Sequence, residues 1–430
     1  MTAAVATSQT VAKGGPNPRF ASASLFGPAL IVAATGIGAS DMIATSVAGA
    51  RFGPSLLWGV LLGAAFKGVL AEGIARWQIH SGTTLLYGIH RHLPRWVLFL
   101  FAAYLLVWTV GVAAALANGC GLAIENLSAG TISKSWGAVA CVILATAAVK
   151  IGHFGAFTTA MKILIIAMFV TVIFGGLRLA PPPHLVFAGF VPTVPNAAGP
   201  IVLSLVGGIG GSMTLLSYNY LPQQTAHSFN RLRAMRIDIA IAYAFTALFG
   251  ISMLLIASQT FHGSGLPPAD TDIIRKTALT LATAIGPAGF FIYSVGFLAA
   301  VLASLLGTWQ TIPLLVADCY ALLRRFPEAR HAHAVSRASG IYDSSLGLLA
   351  VSGVVFAFVN HSIILIVGYT IVASLIVPFI AAVLLYLGTK ADALRPVATG
   401  RRYILNCILL LILVLFLVAA FREILRLFLT

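Results

Sequence analysis

The chain has 430 residues, of which 59% are hydrophobic and only 9% are charged. Soluble domains carry about 25% charged residues, so this composition excludes a soluble enzyme. The net charge of +15 would favour a nucleic-acid partner in a soluble chain, but in an apolar chain it indicates basic loops that orient a membrane protein. We therefore predict an all-α polytopic membrane protein without nucleic-acid binding.

A helix that crosses a bilayer needs about 20 mostly apolar residues. We predict eleven such spans, at 26–50, 55–80, 96–119, 135–150, 155–179, 199–226, 236–260, 288–322, 342–360, 363–388 and 403–428. Residues 272–287 form an additional, weakly apolar stretch, which we interpret as an external helix leading into span 8.

The basic residues predict the orientation of the chain. With the N-terminus in the cytoplasm, the predicted inner segments hold sixteen Lys and Arg residues and the outer segments hold seven, as the positive-inside rule expects. Eleven spans then place the C-terminus outside. The predicted organisation comprises a cytoplasmic tail 1–25, a first repeat 26–180, an external linker 181–198, a second repeat 199–389, and a loop with span 11 at 390–430.

Two apolar segments are interrupted at matching positions. Pro28 to Thr45 and Pro200 to Ser217 lie 172 positions apart, and this shift superimposes Gly36 on Gly208 and Gly38 on Gly210. Small residues in spans also serve close helix packing, but paired interruptions in the two halves of a chain indicate a transporter binding site at the interface of inverted repeats. We predict a five-plus-five inverted repeat, LeuT-like, with broken helices 1 and 6.

Asp41 follows the first break. An acid inside a span indicates a functional site, where it could carry a proton or bind a cation, although a structural role with a neighbouring donor is the alternative. Span 6 continues past its break with polar residues that we place along a water-filled path: Met213, Thr214, Ser217, Tyr218, Asn219 and Gln223.

Further ionisable residues predict an ion-pair network or a proton path, and the sequence leaves both open. Glu72 and Arg76 are four residues apart with the acid first, which favours a helical ion pair. Lys67 lies near mid-span and needs a partner, for which Asp238 and Asp318 are the candidates. His227, at the end of span 6, is placed either to relay protons or to be solvated.

At this point the sequence resembles a known family. Four segments resemble spans 1, 2, 8 and 10 of the NRAMP divalent metal transporters: GPALIVAATGIGASDMIATSVAGARFG, LLWGVLLG, GFLAAVLASLLGTW and VASLIVPFIAAVLLYL. The resemblance covers residues 26–390. It implies eleven helices in an inverted-repeat fold and proton-linked uptake of divalent metal ions.

The chain departs from the family at the residues that bind metal. In span 1 the family has Asp-Pro-Gly-Asn, where this chain has Gly38 to Asp41. In span 6 the family uses an alanine carbonyl and a methionine sulfur within Ala-Thr-Val-Met-Pro-His, where this chain has Gly211 to Leu216, with Thr214 at the sulfur position. The resemblance thus implies a site formed by Gly38, Ser40, Asp41, Gly211, Ser212, Met213 and Thr214.

Oxygen ligands suit hard cations, whereas thioethers suit softer ones. With Asp41, Thr214 and carbonyls near Gly38 and Gly211 as ligands, we predict a secondary transporter of the Mn²⁺ or Mg²⁺ class. Proton coupling and oligomeric state are left open, and we expect no enzymatic activity and no cofactor. The expected location is a bacterial inner membrane.

Two alternatives remain. Glycine at position 38 would leave room for a small organic solute such as an amino acid, whose carboxylate helix N-termini could hold. The third hypothesis is a sensor that has kept the fold but lost transport.

Overall fold

The protein is described from a computed structural model that covers residues 38–152, 155–211, 213–217, 229–262, 272–390 and 405–418. Within these ranges the regular structure is helical and includes no strand. The helices are α1 Ala39–Phe52, α2 Leu57–Ser81, α3 Leu85–His92, α4 Arg95–Leu127, α5 Lys134–Ile151, α6 Gly155–Arg178, α7 Pro183–Ala188, α8 Gly199–Gly208, α9 Thr214–Ser217, α10 Phe229–Phe261, α11 Asp272–Ile285, α12 Ala288–Leu323, α13 Glu328–Ala334, α14 Gly340–Ala357, α15 Ser362–Ser374, α16 Ile376–Lys390 and α17 Leu405–Val418.

Seven helical stretches of the described residues are long and apolar enough to cross a membrane. They are Ser40–Ser81, Arg95–Leu127, Lys134–Ile151, Met235–Phe261, Ala288–Leu323, Gly340–Ala357 and Ser362–Thr389. Gly199–Gly208 and Leu405–Val418 are shorter apolar helices. The all-helical membrane class is confirmed. The total of eleven spans stays a prediction, because spans 1, 6 and 11 extend into residues outside the described ranges and α6, at predicted span 5, is not among the seven stretches.

The third predicted span ends too early. Helix α4 continues eight residues past the predicted end, to Leu127, and the polar residue just before that predicted end is hydrogen-bonded inside the protein. Asn118, which is fully buried, donates from Nδ2 to the carbonyls of Ala114 (2.9 Å) and Phe356 (3.0 Å) and accepts from the Ser362 hydroxyl (2.8 Å). A buried amide with partners does not end a helix, so this span could not be bounded by polarity.

The tenth predicted span is not continuous. Helix α15 ends at Ser374 and α16 begins at Ile376. Pro378 has no N–H, and in an uninterrupted helix its ring would clash with the carbonyl of Ser374. The two helices together form the apolar stretch Ser362–Thr389, which confirms the predicted span 363–388, with a one-residue interruption of the helix at Leu375.

Residues 181–198, predicted as a linker, contain the short helix α7 and contact the beginning of α2. The Trp58 indole donates to the carbonyl of Thr193 (3.0 Å), and the Trp58 backbone N–H donates to the carbonyl of Gly189 (2.9 Å). The segment 272–287, predicted as an additional helix before span 8, forms α11.

Helix α8 lies in the interior of the bundle, where it packs against α1, α2 and α15. Close packing of α8 on α15 depends on Gly207, because a Cβ there would lie 1.9 Å from the Cβ of Ser374. In the same interface the hydroxyls of Ser204 and Thr370 are hydrogen-bonded at 2.5 Å. This packing brings the end of α8 beside the beginning of α1 and the middle of α2.

Candidate cation site

The position predicted as the first break is where α1 begins. Gly38 is the N-cap residue in an extended conformation, and its backbone N–H donates to Asp41 Oδ2 at 2.9 Å. The Ser40 hydroxyl lies 3.4 Å from the same oxygen. The carboxylate therefore caps the free N–H groups of the first turn, where a helix dipole also favours negative charge. Gly36 and the predicted span before the break lie outside the described residues.

The second break separates α8, which ends at Gly208, from α9, which begins at Thr214. Gly210 and Gly211 have φ angles of +76° and +68°, a left-handed conformation that residues with a Cβ rarely adopt. Gly207 and Gly208 instead pack against α15, through Ser374 and Thr370. Within the predicted break 207–212, the first two glycines thus have the packing role, and Gly210 and Gly211 turn the backbone.

Asp41 connects the two breaks. Its Oδ2 accepts the N–H of Gly38, and its Oδ1 accepts the N–H of Gly210 at 2.6 Å. These two glycines are the pair that the 172-position shift superimposes. The residue is only 2% exposed, so both carboxylate oxygens lie inside the protein, between the beginning of α1 and the break that follows α8.

Lys67, on α2, lies against the second break. Its Nζ donates to the carbonyl oxygens of Ile209 (3.1 Å) and Gly211 (2.6 Å), and the residue is 0% exposed. The Asp41 carboxylate accepts the N–H of Gly210, the residue between these two carbonyls. The predicted partners, Asp238 and Asp318, are therefore wrong. A buried ammonium needs dipoles and a counter-charge, and the break supplies both.

Gly38 does not enlarge the site. A Cβ at this position would lie 2.8 Å from Oγ of Ser304, on α12. The space that a side chain would occupy in span 1 is thus filled by Ser304, which does not support the interpretation that Gly38 leaves room for an organic solute. Sequence patterns gave no signal for Ser304, since it comes from a distant helix.

The remaining predicted ligands lie in or beside the second break. Met213 is fully buried, and its carbonyl accepts the N–H of Leu216 as α9 begins. Thr214 lies at the first position of α9, but its side chain is outside the described set, and Ser212 is outside the described residues entirely. Among the described residues, no group of three or more His, Cys, Asp and Glu side chains could hold a metal.

Glu72 is at the centre of a separate ion-pair cluster. Its Oε1 accepts from Nη2 of Arg76 (2.8 Å), as predicted, and also from Nε of Arg236, on α10 (2.7 Å). Arg76 is only 4% exposed. A cavity of about 410 Å³ between α2 and α10 reaches this cluster and is otherwise walled mostly by apolar residues. The ion pair between Glu72 and Arg236 links α2 to α10. Lys67 is not a member of this cluster.

We expect Glu72→Gln to destabilise the protein by about 2–3 kcal/mol, because two guanidinium groups lose a charged hydrogen-bond acceptor. The matched control is Asp343→Asn, which breaks the exposed Lys150–Asp343 pair and should change stability by less than about 1 kcal/mol. Thermal unfolding of both variants in detergent measures the difference. Equal stability of the two variants would contradict a structural role for Glu72.

Asp318 belongs to a third cluster, at the end of α12. Its carboxylate is 2.7 Å from Nε2 of His331, on α13, and accepts from the Thr84 hydroxyl (3.2 Å). The hydrogen bond to Asp318 raises the pKa of His331, while partial burial opposes this rise. Sequence reasoning missed His331, which lies on the short helix α13, 13 residues further along the chain than Asp318.

The six residues predicted as one network are thus divided. Lys67 belongs to the helix breaks, Glu72 and Arg76 form the cluster with Arg236, and Asp318 pairs with His331. Asp238 lies half-buried near the beginning of α10. His227 lies outside the described residues. The prediction of a Glu72–Arg76 ion pair is confirmed, and a single continuous network is wrong for the described residues.

A family model described as "Natural resistance-associated macrophage protein-like" matches residues 29–422. The chain belongs to the NRAMP family. This confirms the resemblance seen in spans 1, 2, 8 and 10. The match includes both helix breaks, so the departures at Gly38, Asp41 and Thr214 occur within a true family member.

Two curated relatives carry the name divalent metal cation transporter MntH. The protein from Chromohalobacter salexigens is 28% identical over 288 residues, which cover 63% of this chain and 64% of the relative. The protein from Deinococcus radiodurans is 27% identical over 292 residues, or 65% of each chain. The matched part of this NRAMP chain therefore spans just under two thirds of these relatives.

The fold is similar to solved structures of a manganese transporter from Eremococcus coleocola. Two variants of that protein superimpose with TM-scores of 0.55 and 0.56, at 14% identity and with 93% of both chains covered. At this identity the similarity shows the fold alone. The similarity in fold extends over nearly the whole length of both chains.

Proposed function

We propose that this NRAMP protein is a secondary transporter that moves a hard divalent cation, of the Mn²⁺ or Mg²⁺ class, through the site at Asp41. The observation that supports it is the position of this buried carboxylate, which is bound by backbone N–H groups from both helix breaks. Broken helices at a repeat interface are where transporters of this architecture hold their ions.

The chemistry of the site favours a hard ion. A carboxylate has about four lone-pair positions, so Asp41 can accept its backbone hydrogen bonds and still coordinate a cation. The inward carbonyls of Ile209 and Gly211 add oxygen ligands, and oxygen ligands suit Mg²⁺ and Mn²⁺. The relatives' names agree with a divalent metal ion as substrate, and a bacterial inner membrane is the proposed location.

Metal uptake into proteoliposomes tests the proposal. We expect the wild-type protein to admit Mn²⁺ and Mg²⁺ faster than Cd²⁺, and the variant Asp41→Asn/Lys67→Met to admit all three no faster than empty liposomes. The double substitution removes the carboxylate without leaving a buried charge unpaired. Asp343→Asn, which removes an exposed acid, is the control and should transport like the wild type.

The same vesicles carry a pH-sensitive dye, which reports whether protons accompany the metal. The proposal fails if the wild-type protein moves no divalent ion, or if the double variant moves metal at the wild-type rate. Stabilisation of the purified protein by an amino acid and not by Mn²⁺ or Mg²⁺ would favour an organic solute instead.

A further inference from the structure

We infer that the ammonium of Lys67 is a tethered cation that occupies the place of the transported metal ion. A metal ion then binds fully only when this ammonium leaves the carbonyl oxygens of Ile209 and Gly211. The inference rests on the proposed function, because it assigns the competitor of the metal at the Asp41 site.

The second break presents two backbone carbonyl oxygens to Lys67. At Gly210 and Gly211 the backbone adopts two left-handed conformations, and the carbonyls of Ile209 and Gly211 lie in this interruption between α8 and α9. Such unwound carbonyls are the groups that coordinate cations in broken-helix transporters. Here both Ile209 and Gly211 direct their oxygens to the same lysine nitrogen, at 3.1 and 2.6 Å.

The ammonium of Lys67 would repel a divalent ion bound at Asp41. The carboxylate of Asp41 accepts the N–H of Gly210, which lies between the two residues whose carbonyls bind Lys67. An ionised carboxylate and the ammonium together leave the site neutral. A divalent ion bound to the same carboxylate would face the ammonium at short range in a dry environment, where like charges repel strongly. The carbonyl oxygens that would complete the coordination of the metal are also already used.

Lys67 and its hydrogen-bond acceptors belong to different parts of the fold. The residue lies within α2, Leu57–Ser81, while its acceptors lie in the break between α8 and α9. The ammonium is therefore held by one element and bound by another, on a flexible four-carbon stem. Relative movement of α2 and the break would withdraw the ammonium and open the carbonyls to a metal ion.

The experiment measures Mn²⁺ binding to purified protein at one fixed pH, by isothermal calorimetry and by the rise in melting temperature. We expect Lys67→Met to bind Mn²⁺ at least about tenfold more tightly than the wild type. Lys67→Gln keeps an N–H donor for the carbonyls but removes the charge, so it should also bind Mn²⁺ more tightly than the wild type. This variant replaces Lys67→Met in the experiment if Lys67→Met does not fold. Lys150→Met, which removes an exposed lysine, should bind like the wild type.

The outcomes separate the two proposals. If the wild type binds Mn²⁺ and the Lys67 variants bind it no more tightly, the proposal that Lys67 competes with the metal is overturned. The proposal of a metal site at Asp41 is then still supported. If only the Lys67 variants bind Mn²⁺, the tethered cation is supported and wild-type metal transport is not. If neither binds Mn²⁺, both are overturned.

Discussion

Asp41→Asn should destabilise the protein by about 3–5 kcal/mol, the usual effect of removing one partner from a buried charge pair. The substitution leaves the Lys67 ammonium buried at 0% exposure without its counter-charge. It also replaces one carboxylate oxygen by an amide NH₂, so that the N–H of Gly38 or of Gly210 loses its acceptor. Thermal and denaturant unfolding in detergent measure the loss.

The control for this prediction is the double variant Asp41→Asn/Lys67→Met. Since it removes both charges, we expect it to recover most of the stability that the single variant loses, as replacement of a buried pair by neutral groups commonly does. If Asp41→Asn is as stable as the wild type, or if the double variant is no more stable than Asp41→Asn, Asp41 does not compensate the charge of Lys67. The comparison also establishes that the double variant is folded when its transport is measured.

Gly207→Ala is the second substitution with a large expected effect. The added Cβ would lie 1.9 Å from Cβ and 2.2 Å from Cα of Ser374, and backbone atoms cannot move aside as a flexible side chain can. We expect a destabilisation of about 3 kcal/mol, at the upper end of the range for overpacking. Because α8 carries the second break at its end, separation of α8 from α15 should also weaken Mn²⁺ binding.

Gly368→Ala is the matched control. Gly368 lies in α15, the same partner helix, and a Cβ there would meet no atom within 4 Å. Alanine in a helix interior is more favourable than glycine by about 0.5–1 kcal/mol, so this variant should unfold at or above the wild-type temperature. If Gly207→Ala is as stable as Gly368→Ala, the close contact between α8 and α15 is not present in solution.

The sequence by itself determined the class of the protein and the location of its centre. Apolar runs of spanning length need no partner to be recognised, because the bilayer constrains each helix locally. The glycine interruptions at 38 and 210, the acid at 41, and the family motifs around them were likewise local patterns. These patterns predicted Asp41 as a site residue. Helical spacing alone predicted the Glu72–Arg76 ion pair.

Only the tertiary structure decided which groups meet. The sequence offered Asp238 and Asp318 as partners of Lys67 and missed the actual acceptors. A buried ammonium is bound here by backbone carbonyls, which every residue possesses and no pattern marks. Ser304 fills the space beside Gly38, and His331 pairs with Asp318, because packing brings distant segments together.

The role of each glycine in the second break also depended on the fold. Gly207 and Gly208 permit contact with α15, whereas Gly210 and Gly211 turn the chain, and the sequence shows four glycines without this distinction. Position along the chain therefore indicated where the helices break. The three-dimensional contacts determined that the break presents its N–H groups to Asp41 and its carbonyls to Lys67, because hydrogen-bond partners are set by distance in space.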